Sequence, residues 1–412
     1  MQRVASWGVW SLLLLWGTWL QAQAGGATLV FALTCGVALG VAFQRSRFCF
    51  YCHARDWFEN RDPRGMLAIV LAVAIGLIGY TAVLGGWIVN PAAGRLPPDI
   101  HIGPVSWVLL LAGAAFGLGM VVSGSCISAH WYRLSEGSTV SPFALIGTAM
   151  GFVVGFKSWN GLYSLAIADA PVVWLPAHLG YGGALVVQLA VLVAVVVYLW
   201  RGFASPLYQQ KVANAQLGQQ VDHHKQAQAT QGRISAAASV PNLHQVWAQL
   251  WQGRWPYWTG GLVVGLVGVL AIIRMKPLGV TAFLGTASRQ WADAQGWIPA
   301  TMHGLDGFAG CSTTPQSTWL MPNAVLLTGI VGGAFAAAFL SRQFVFKIPG
   351  ARDVVRGLSG GLLLGWGAMV GLGCTVGTLL SGSQAGAVSG WVFGAAMFAT
   401  IGLALKIKAR WL

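Results

Sequence analysis

Charged side chains are scarce in this sequence. They make up 8% of its 412 residues, and only 10 residues are acidic, whereas about 25% charged residues is usual for a soluble domain. The chain also lacks a GxxxxGK[ST] phosphate loop, so it has no recognisable ATP-hydrolysing site. Its six cysteines are too scattered for a disulfide framework. These absences argue against a soluble protein, an ATP-driven pump and a disulfide-stabilised fold.

Apolar residues dominate the chain instead. They make up 56% of it, the mean hydropathy is +0.65, and the apolar runs are continuous rather than alternating. Since a membrane-spanning helix needs about 20 such residues, the length allows roughly nine or ten spans. We therefore predict an all-α integral membrane protein with additional short re-entrant helices. The net charge of +14 fits both contact with anionic membrane lipid and a route for an anion.

One glycine-rich stretch occurs twice, and we interpret the chain around it. The copies are GAAFGLGMVVSGSCISAHWYRLSEG from Gly113 and GLLLGWGAMVGLGCTVGTLLSGSQAG from Gly361. Cys126 and Cys374 each lie 13 residues after the first glycine of their copy, which is an offset of 248 between the copies (374 − 126). Each copy reads as an apolar helix that breaks at the cysteine and resumes with Ser, Thr and Gly. A helix broken at mid-depth predicts a site inside the membrane.

Basic clusters indicate the orientation of the spans. Five arginines place the loop after the second apolar run in the cytoplasm, and they are Arg45, Arg47, Arg55, Arg61 and Arg64. The Cys126 helix then runs inward to Arg133, which marks its cytoplasmic end, and the Cys374 helix runs outward. This predicts two inverted, pseudo-symmetric halves. The halves are 1–200, with a repeat at about 25–157, and 259–412, joined by a cytoplasmic polar linker at 201–258. We expect a cytoplasmic C-terminus and a retained first helix, although residues 22–24 resemble a signal-peptidase site.

The two breaks offer chemistry suited to a small anion. A half-helix N-terminus presents free backbone N–H groups and a positive dipole end. Ser125 and Thr375 add hydroxyl donors beside the cysteines, and these neutral donors can hold an anion and release it. A thiol is a soft, weak donor and acceptor, which favours a ligand containing sulphur or selenium. Cys35, in contrast, is expected only to fill space.

The remaining cysteines leave several interpretations open. Cys49 follows two arginines and is expected at the inner mouth of a path, where positive charge favours its thiolate. Residues 49–53 match C-x-x-C-H, the c-type haem pattern, but their loop is predicted to be cytoplasmic. A redox or sulfurtransferase enzyme using Cys49 and Cys52 is a further alternative. Cys311 is either an outer contact for substrate or a free thiol in a loop.

At these motifs the sequence resembles the YeeE/YedE family of sulphur-compound transporters. The motifs are QRSRFCF with Arg55-Asp56, GLGMVVSGSC followed by HWYRLSEG, and GWGAMVGLGCTVGTLLSG. The resemblance implies inverted halves and a path on which thiols hydrogen-bond thiosulfate. Cys52, His53 and Cys311 depart from the family pattern, and the long linker is similar to the YedE-like branch associated with selenium metabolism.

The sequence thus predicts a bacterial inner-membrane uptake transporter for thiosulfate or a related sulphur anion, with a selenium compound as the alternative substrate. The resemblance also implies a cytoplasmic TusA-like sulphur-carrier protein as partner. We expect no nucleic-acid partner, cofactor, metal site or catalytic residue. The predicted substrate-binding residues are Arg47, Cys49, Gly124, Ser125, Cys126, Cys311, Gly373, Cys374 and Thr375.

Overall fold

The computed structural model describes residues 2–97, 99–214, 251, 253–308 and 320–411, and within them the fold is helical. Two isolated bridges, Pro104–Val172 and Trp174–Ala387, are the β pairing in this part of the chain. The first half contains α1 (Gln2–Gln21), α2 (Gly26–Ser46), α3 (Phe50–Asn60), α4 (Arg64–Trp87), α5 (Trp107–Ser123), α6 (Ile127–Leu134), α7 (Ser141–Leu162) and α8 (Leu175–Trp200). The second contains α9 (Tyr257–Arg274), α10 (Ala282–Ala294), α11 (Pro322–Leu340), α12 (Ala351–Val370), the π-helical α13 (Thr375–Gly382) and α14 (Val388–Trp411).

The helices confirm an all-α integral membrane protein. Over the described residues, eight helical stretches are long and apolar enough to cross a membrane, and the bent pair α12–α13 makes up to nine. The prediction was nine or ten. Helix α1 is the 20-residue element that falls outside this set, because its four tryptophans reduce its hydropathy. It packs on α11, where the Ser6 hydroxyl donates to the Ala336 carbonyl at 2.8 Å.

Small residues let four pairs of helices approach closely. Gly36 and Gly40 of α2 lie against the backbone of α11, and an added Cβ at Gly329 would be 3.0 Å from the Cα of Gly36. Without a hydrophobic driving force between helices in lipid, such glycine contacts supply much of the packing. In each pair, residues later in one helix contact residues later in the other, so the two helices are parallel. These pairs are α2 with α11, α4 with α9, α5 with α14, and α7 with α12.

Helices α5 and α12, the two that carry the repeated motif, pack together and run antiparallel. Gly360 lies against Ser123 at the end of α5, whereas Gly367 lies against Phe116 nearer its start. The end of α5 and the start of α12 therefore lie at the same end of the molecule. Because this end carries Arg45, Arg64, Arg133, Arg254 and Arg356, we call it the basic end, and the other the far end.

Some predicted segments lie outside the described residues. Cys311 is one of them, as are residues 215–250 of the predicted linker. The described start of that linker contacts the basic end, where Lys211 forms an ion pair with Asp62 at 3.2 Å. The division of the chain at 201–258 and the cytoplasmic position of the linker remain predictions.

Candidate functional site

Three cysteines are presented by the same backbone arrangement. Cys49, Cys126 and Cys374 are the N-cap residues of α3, α6 and α13, and each is extended. In each case the residue two positions before the cysteine has positive φ, at or just after the end of the preceding helix. These residues are Arg47 at 52°, Gly124 at 85° and Leu372 at 58°. A left-handed residue ends one helix and redirects the chain, so the cysteine begins the next helix.

The second and third of these helices leave their first-turn N–H groups uncapped by the N-cap side chain. Neither the Cys126 nor the Cys374 thiol caps its own helix. Cys49, in contrast, accepts from the backbone N–H of Cys52 at 3.5 Å. The N–H groups of a first helical turn and the positive end of the helix dipole together favour an anion. The two broken helices therefore each offer an anion-binding N-terminus next to a thiol.

At the basic end two of the thiols meet. The Sγ atoms of Cys49 and Cys126 are 3.7 Å apart, and the Cys126 Sγ lies 3.3 Å from the Ser128 hydroxyl. Both thiols have no exposed surface. Sulphur atoms at this separation are in contact but not bonded, and both cysteines are free. The arrangement is a soft pair of sulphur atoms that a sulphur-containing ligand can join.

A buried hydroxyl without a hydrogen-bond partner lies beside each broken-helix cysteine. Ser125 precedes Cys126 and Thr375 follows Cys374, and both residues have no exposed surface. Their hydroxyl oxygens make no hydrogen bond in the described part of the chain. Because a buried polar group without a partner costs about 1–3 kcal/mol, such groups are rare in native structures and mark sites where a ligand or water binds. Both hydroxyls were predicted to contact the substrate.

The Cys49–Cys126 pair lies next to a cavity of about 550 Å³, which we call the basic cavity. Five cationic residues line it along with two acidic ones. The cations are Arg47, Arg55, Arg133, Arg254 and Lys347, and the acids are Asp56 and Glu136. The surplus of three positive charges (5 − 2) attracts anions to this end of the molecule.

Around Cys374 the described residues leave little open space. Cys374 is fully buried, and the pocket beside it has a volume of only about 10 Å³, which is room for one water molecule. The segment 100–103 lies over it, since an added Cβ at Gly373 would be 3.3 Å from the His101 ring. The Gly103 N–H also donates to the Ser389 hydroxyl at 3.2 Å. Burial lowers the pKa of His101 to about 4, so this imidazole is neutral at pH 7.

The predicted site residues fall into two groups. Cys49, Cys126, Ser125, Gly124 and the exposed Arg47 are at the basic end, whereas Gly373, Cys374 and Thr375 are at the far end. The repeat motifs are thus not brought together at one point, because α5 and α12 are antiparallel and each break follows its own helix end. Helix α5, whose 17 residues span roughly 25 Å, runs between the two ends.

Two residues of the basic end were not recognised as site residues from the sequence. Arg133 was used only as a marker of orientation, although it lies seven residues after Cys126, two turns along the same helix face. Its Nη2 atom is 3.7 Å from the Cys52 Sγ, and its Nη1 donates to the Gly124 carbonyl at 3.3 Å. Cys52 was considered only as part of a redox pair. Its position one turn after Cys49 was the available signal.

Comparison with known proteins gives a consistent result. A protein family described as "Sulphur transport" matches residues 45–403. "Thiosulfate transporter TsuA" of Escherichia coli (strain K12) is 24% identical over 367 residues, 88% of this chain and 90% of the relative. The protein of the same name from Spirochaeta thermophila is 24% identical over 381 residues, 87% and 93% of the two chains. "Probable transporter YedE" of Escherichia coli is 26% identical over 167 residues, 40% of this chain and 39% of the relative.

Proposed function

This chain belongs to the sulphur-transport family, and from that premise we propose that it carries thiosulfate across the membrane. The TsuA relatives are named as thiosulfate transporters and are matched over almost their whole length. Their names describe transporters rather than enzymes, in agreement with the prediction from the sequence. The structural observation that carries the proposal is the buried Cys49–Cys126 pair, with sulphur atoms 3.7 Å apart, next to the unpartnered Ser125 hydroxyl.

Thiosulfate has two chemically different ends, and the site provides for both. Its sulfonate oxygens are hard acceptors that suit backbone N–H groups and hydroxyls at a helix N-terminus. Its terminal sulphur is soft and suits the thiols of Cys49 and Cys126. Sulfate has the same charge but lacks the soft atom. The thiols act by hydrogen bonding without covalent change, so the anion can be passed on and released.

We further infer that the two halves are inverted repeats. In this scheme the six elements α2 to α7 correspond in order to α9 to α14. When each helix is replaced by its counterpart in the other half, the α2–α11 contact becomes α9–α4 and the α7–α12 contact becomes α14–α5. All four of these contacts occur in the structure. Equivalent helices must then be antiparallel, as α5 and α12 are. This symmetry explains why Cys126 and Cys374 occupy opposite ends of the path.

We also propose the direction of transport. By the positive-inside tendency the basic end faces the cytoplasm and the far end faces outward in a bacterial inner membrane. The C-terminus is then cytoplasmic. Thiosulfate enters near Cys374, moves to the Cys126–Cys49 pair and leaves through the basic cavity. A cytoplasmic TusA-like carrier is the proposed acceptor, and anionic membrane lipid is the proposed partner of the basic surface.

Uptake into proteoliposomes by the purified protein tests the proposal. Two preparations of thiosulfate are used, one radiolabelled at the sulfonate sulphur and one at the terminal sulphur. We expect both labels to accumulate at the same rate in intact thiosulfate, with sulfate a weak competitor. Sulfite on one side and a persulfidated cysteine would instead indicate the sulfurtransferase alternative. Stronger competition by a selenium anion than by thiosulfate would favour the selenium alternative.

Growth of bacteria gives an independent test. A host lacking its own sulphur importers is supplied with one sulphur source at a time and with either the wild-type gene or Cys126→Ala. We expect the wild-type protein to support growth on thiosulfate and the variant not to do so at equal expression. Equal growth with both would contradict a role for this thiol.

A further inference from the structure

Three cations of the basic cavity have no ion-pair partner among the described residues, and they are Arg47, Arg133 and Lys347. Arg47 and Lys347 are exposed to solvent, whereas Arg133 is partly buried. Arg55 forms an ion pair with Asp56 at 3.0 Å, and Arg254 with Glu136 at 3.4 Å, so both acids of the cavity are engaged. Within the described residues Arg133 has no carboxylate within 4.0 Å. A cation without a counter-ion is costly at a position that is only half exposed. An anion that visits this position would offset the cost.

The Arg133 side chain is also under-used as a hydrogen-bond donor. A guanidinium has five N–H donors arranged in a planar fork. Its described contacts are the Gly124 carbonyl at 3.3 Å and the Cys52 sulphur at 3.7 Å. Donors therefore remain for the oxygens of a sulfonate, which this fork binds well. The contact with Gly124 also attaches Arg133 to the break that presents Cys126.

Cys52 extends the group of thiols from the buried interior into the cavity. Cys49 and Cys126 are fully buried, whereas Cys52 is partly exposed and lines the cavity. Its backbone N–H donates to the Cys49 sulphur at 3.5 Å. The three sulphur-bearing residues are therefore consecutive neighbours from Cys126 through Cys49 to Cys52, and Arg133 contacts the last of them.

We propose that Arg133 and Cys52 form a separate anion site at the mouth of the path. The ligand class is a small dianion with sulfonate oxygens at one end and a terminal sulphur at the other. The guanidinium binds the oxygens, and the Cys52 thiol contacts the terminal sulphur. The identity of the ligand as thiosulfate rests on the proposed function. The site holds the anion after it leaves Cys49 and Cys126, and favours it over sulfate because only thiosulfate has a soft atom to offer Cys52.

Protection of Cys52 from alkylation tests this site directly. Purified full-length protein in detergent is treated with iodoacetamide, and fragmentation mass spectrometry follows modification of Cys52 separately from Cys49. Because thiosulfate also displaces iodide from iodoacetamide, each rate is divided by the alkylation rate of glutathione in the same mixture. We expect thiosulfate to slow the alkylation of Cys52 at least fivefold, and sulfate at the same concentration to slow it twofold or less. Arg133→Gln should abolish the protection by both anions, while Arg133→Lys should retain part of it. Rates are compared with and without anion within each variant, so a general change in thiol reactivity cancels.

Arg55→Gln is the matched control, because Arg55 lines the same cavity but already has a carboxylate partner. It should leave protection within twofold of wild type. Full protection in Arg133→Gln would overturn the site, and so would equal protection by thiosulfate and sulfate. Thiosulfate uptake measured on the same wild-type preparation separates the two proposals. Uptake without protection of Cys52 defeats only this site, whereas protection without uptake defeats the transport function and leaves the site standing.

Discussion

The two ends of the molecule present thiols by the same backbone arrangement but in different surroundings. At the basic end, Cys49 and Cys126 touch at 3.7 Å and adjoin a cavity of about 550 Å³ lined by five cationic residues. At the far end, Cys374 lies under the segment 100–103, beside a pocket of about 10 Å³. Of these two described pockets, the one at the basic end has the larger volume and the cationic lining.

This difference indicates a conformation that is open at one end and closed at the other. In the proposed transport cycle the far end must open to admit the anion. The apolar rings of Phe116 and Phe393, with centroids 5.6 Å apart, pack against Gly367 and Gly371 of the α12 segment. Charge is expensive in such an apolar interior, so the proposed passage of an anion between the two ends requires movement. Substitutions at one end, at both ends, or in the backbone arrangement that the ends share can test this difference.

The largest effect should come from removing either broken-helix thiol. We expect Cys126→Ala and Cys374→Ala each to reduce thiosulfate uptake at least 30-fold, because each removes the soft contact at its end of the path. Cys35→Ala is the control, since Cys35 is buried within α2 and does not lie at a helix break. It should keep uptake within twofold of wild type. Full uptake in Cys126→Ala or Cys374→Ala would contradict the path.

The second largest effect should come from the two unpartnered hydroxyls. Ser125→Ala and Thr375→Val remove a donor beside each cysteine while keeping its size nearly constant. A hydrogen bond to a charged group contributes about 1.5–3 kcal/mol, so we expect uptake at low thiosulfate to fall about tenfold or more in each. Ser11→Ala, at an exposed hydroxyl bonded to its own helix, should have no effect. If only one of these two substitutions reduces thiosulfate uptake, the two ends differ in more than their access to solvent.

A smaller effect should come from His101 and depend on pH. Burial lowers the pKa of His101 to about 4 from its ordinary 6.5. When the segment 100–103 is displaced, His101 regains its ordinary pKa and binds a proton, whereas in the closed state it stays neutral. The closed state therefore loses stability relative to the displaced one as pH falls from about 6.5 towards 4. We expect alkylation of Cys374 at pH 5 to be about threefold faster in the wild-type protein than in His101→Asn. The two rates should agree at pH 7.5. Equal rates at both pH values would show that protonation of His101 does not loosen the far end.

The smallest effect should come from the shared backbone arrangement. Gly124 has φ of 85°, and an added Cβ there would meet only the Arg356 side chain, at 3.7 Å. Gly124→Ala therefore isolates the conformational cost, which is about 1 kcal/mol of unfolding free energy. Arg47→Gly, at φ of 52°, should change stability by a similar amount in the opposite direction. Thermal unfolding in detergent measures both. A stabilising Gly124→Ala would mean that the arrangement is not strained in the way described.

Much of the fold was predictable because the determining signals are local. Continuous apolar runs predict spans, and glycine before cysteine predicts the interruptions after α5 and α12. The proximity of Cys49 to Cys126 was not predictable, because it depends on how the start of α3 packs against the start of α6. The sequence predicted opposite directions for the helices before Cys126 and Cys374, and α5 and α12 do run antiparallel. A binding site inside the membrane at these breaks remains a prediction.

The conformations and roles of single residues were harder to predict than the helices. Leu372 adopts a left-handed conformation between two glycines that suit it better, and no local rule selects the leucine. Arg133 looked like an orientation marker because basic residues at span ends usually are. Arg133 lacks a carboxylate partner because Asp56 pairs with Arg55 and Glu136 pairs with Arg254. These pairings arise only when the cavity is assembled.

The most direct test of the central claim is a cryo-electron microscopy structure of the protein in lipid with saturating thiosulfate. We predict density for the anion within about 4 Å of the Cys126 sulphur and within hydrogen-bond distance of the Ser125 hydroxyl. Sulfate at the same concentration should leave this position empty. Thiosulfate bound only away from the three N-cap cysteines, in a preparation that transports it, would contradict the account.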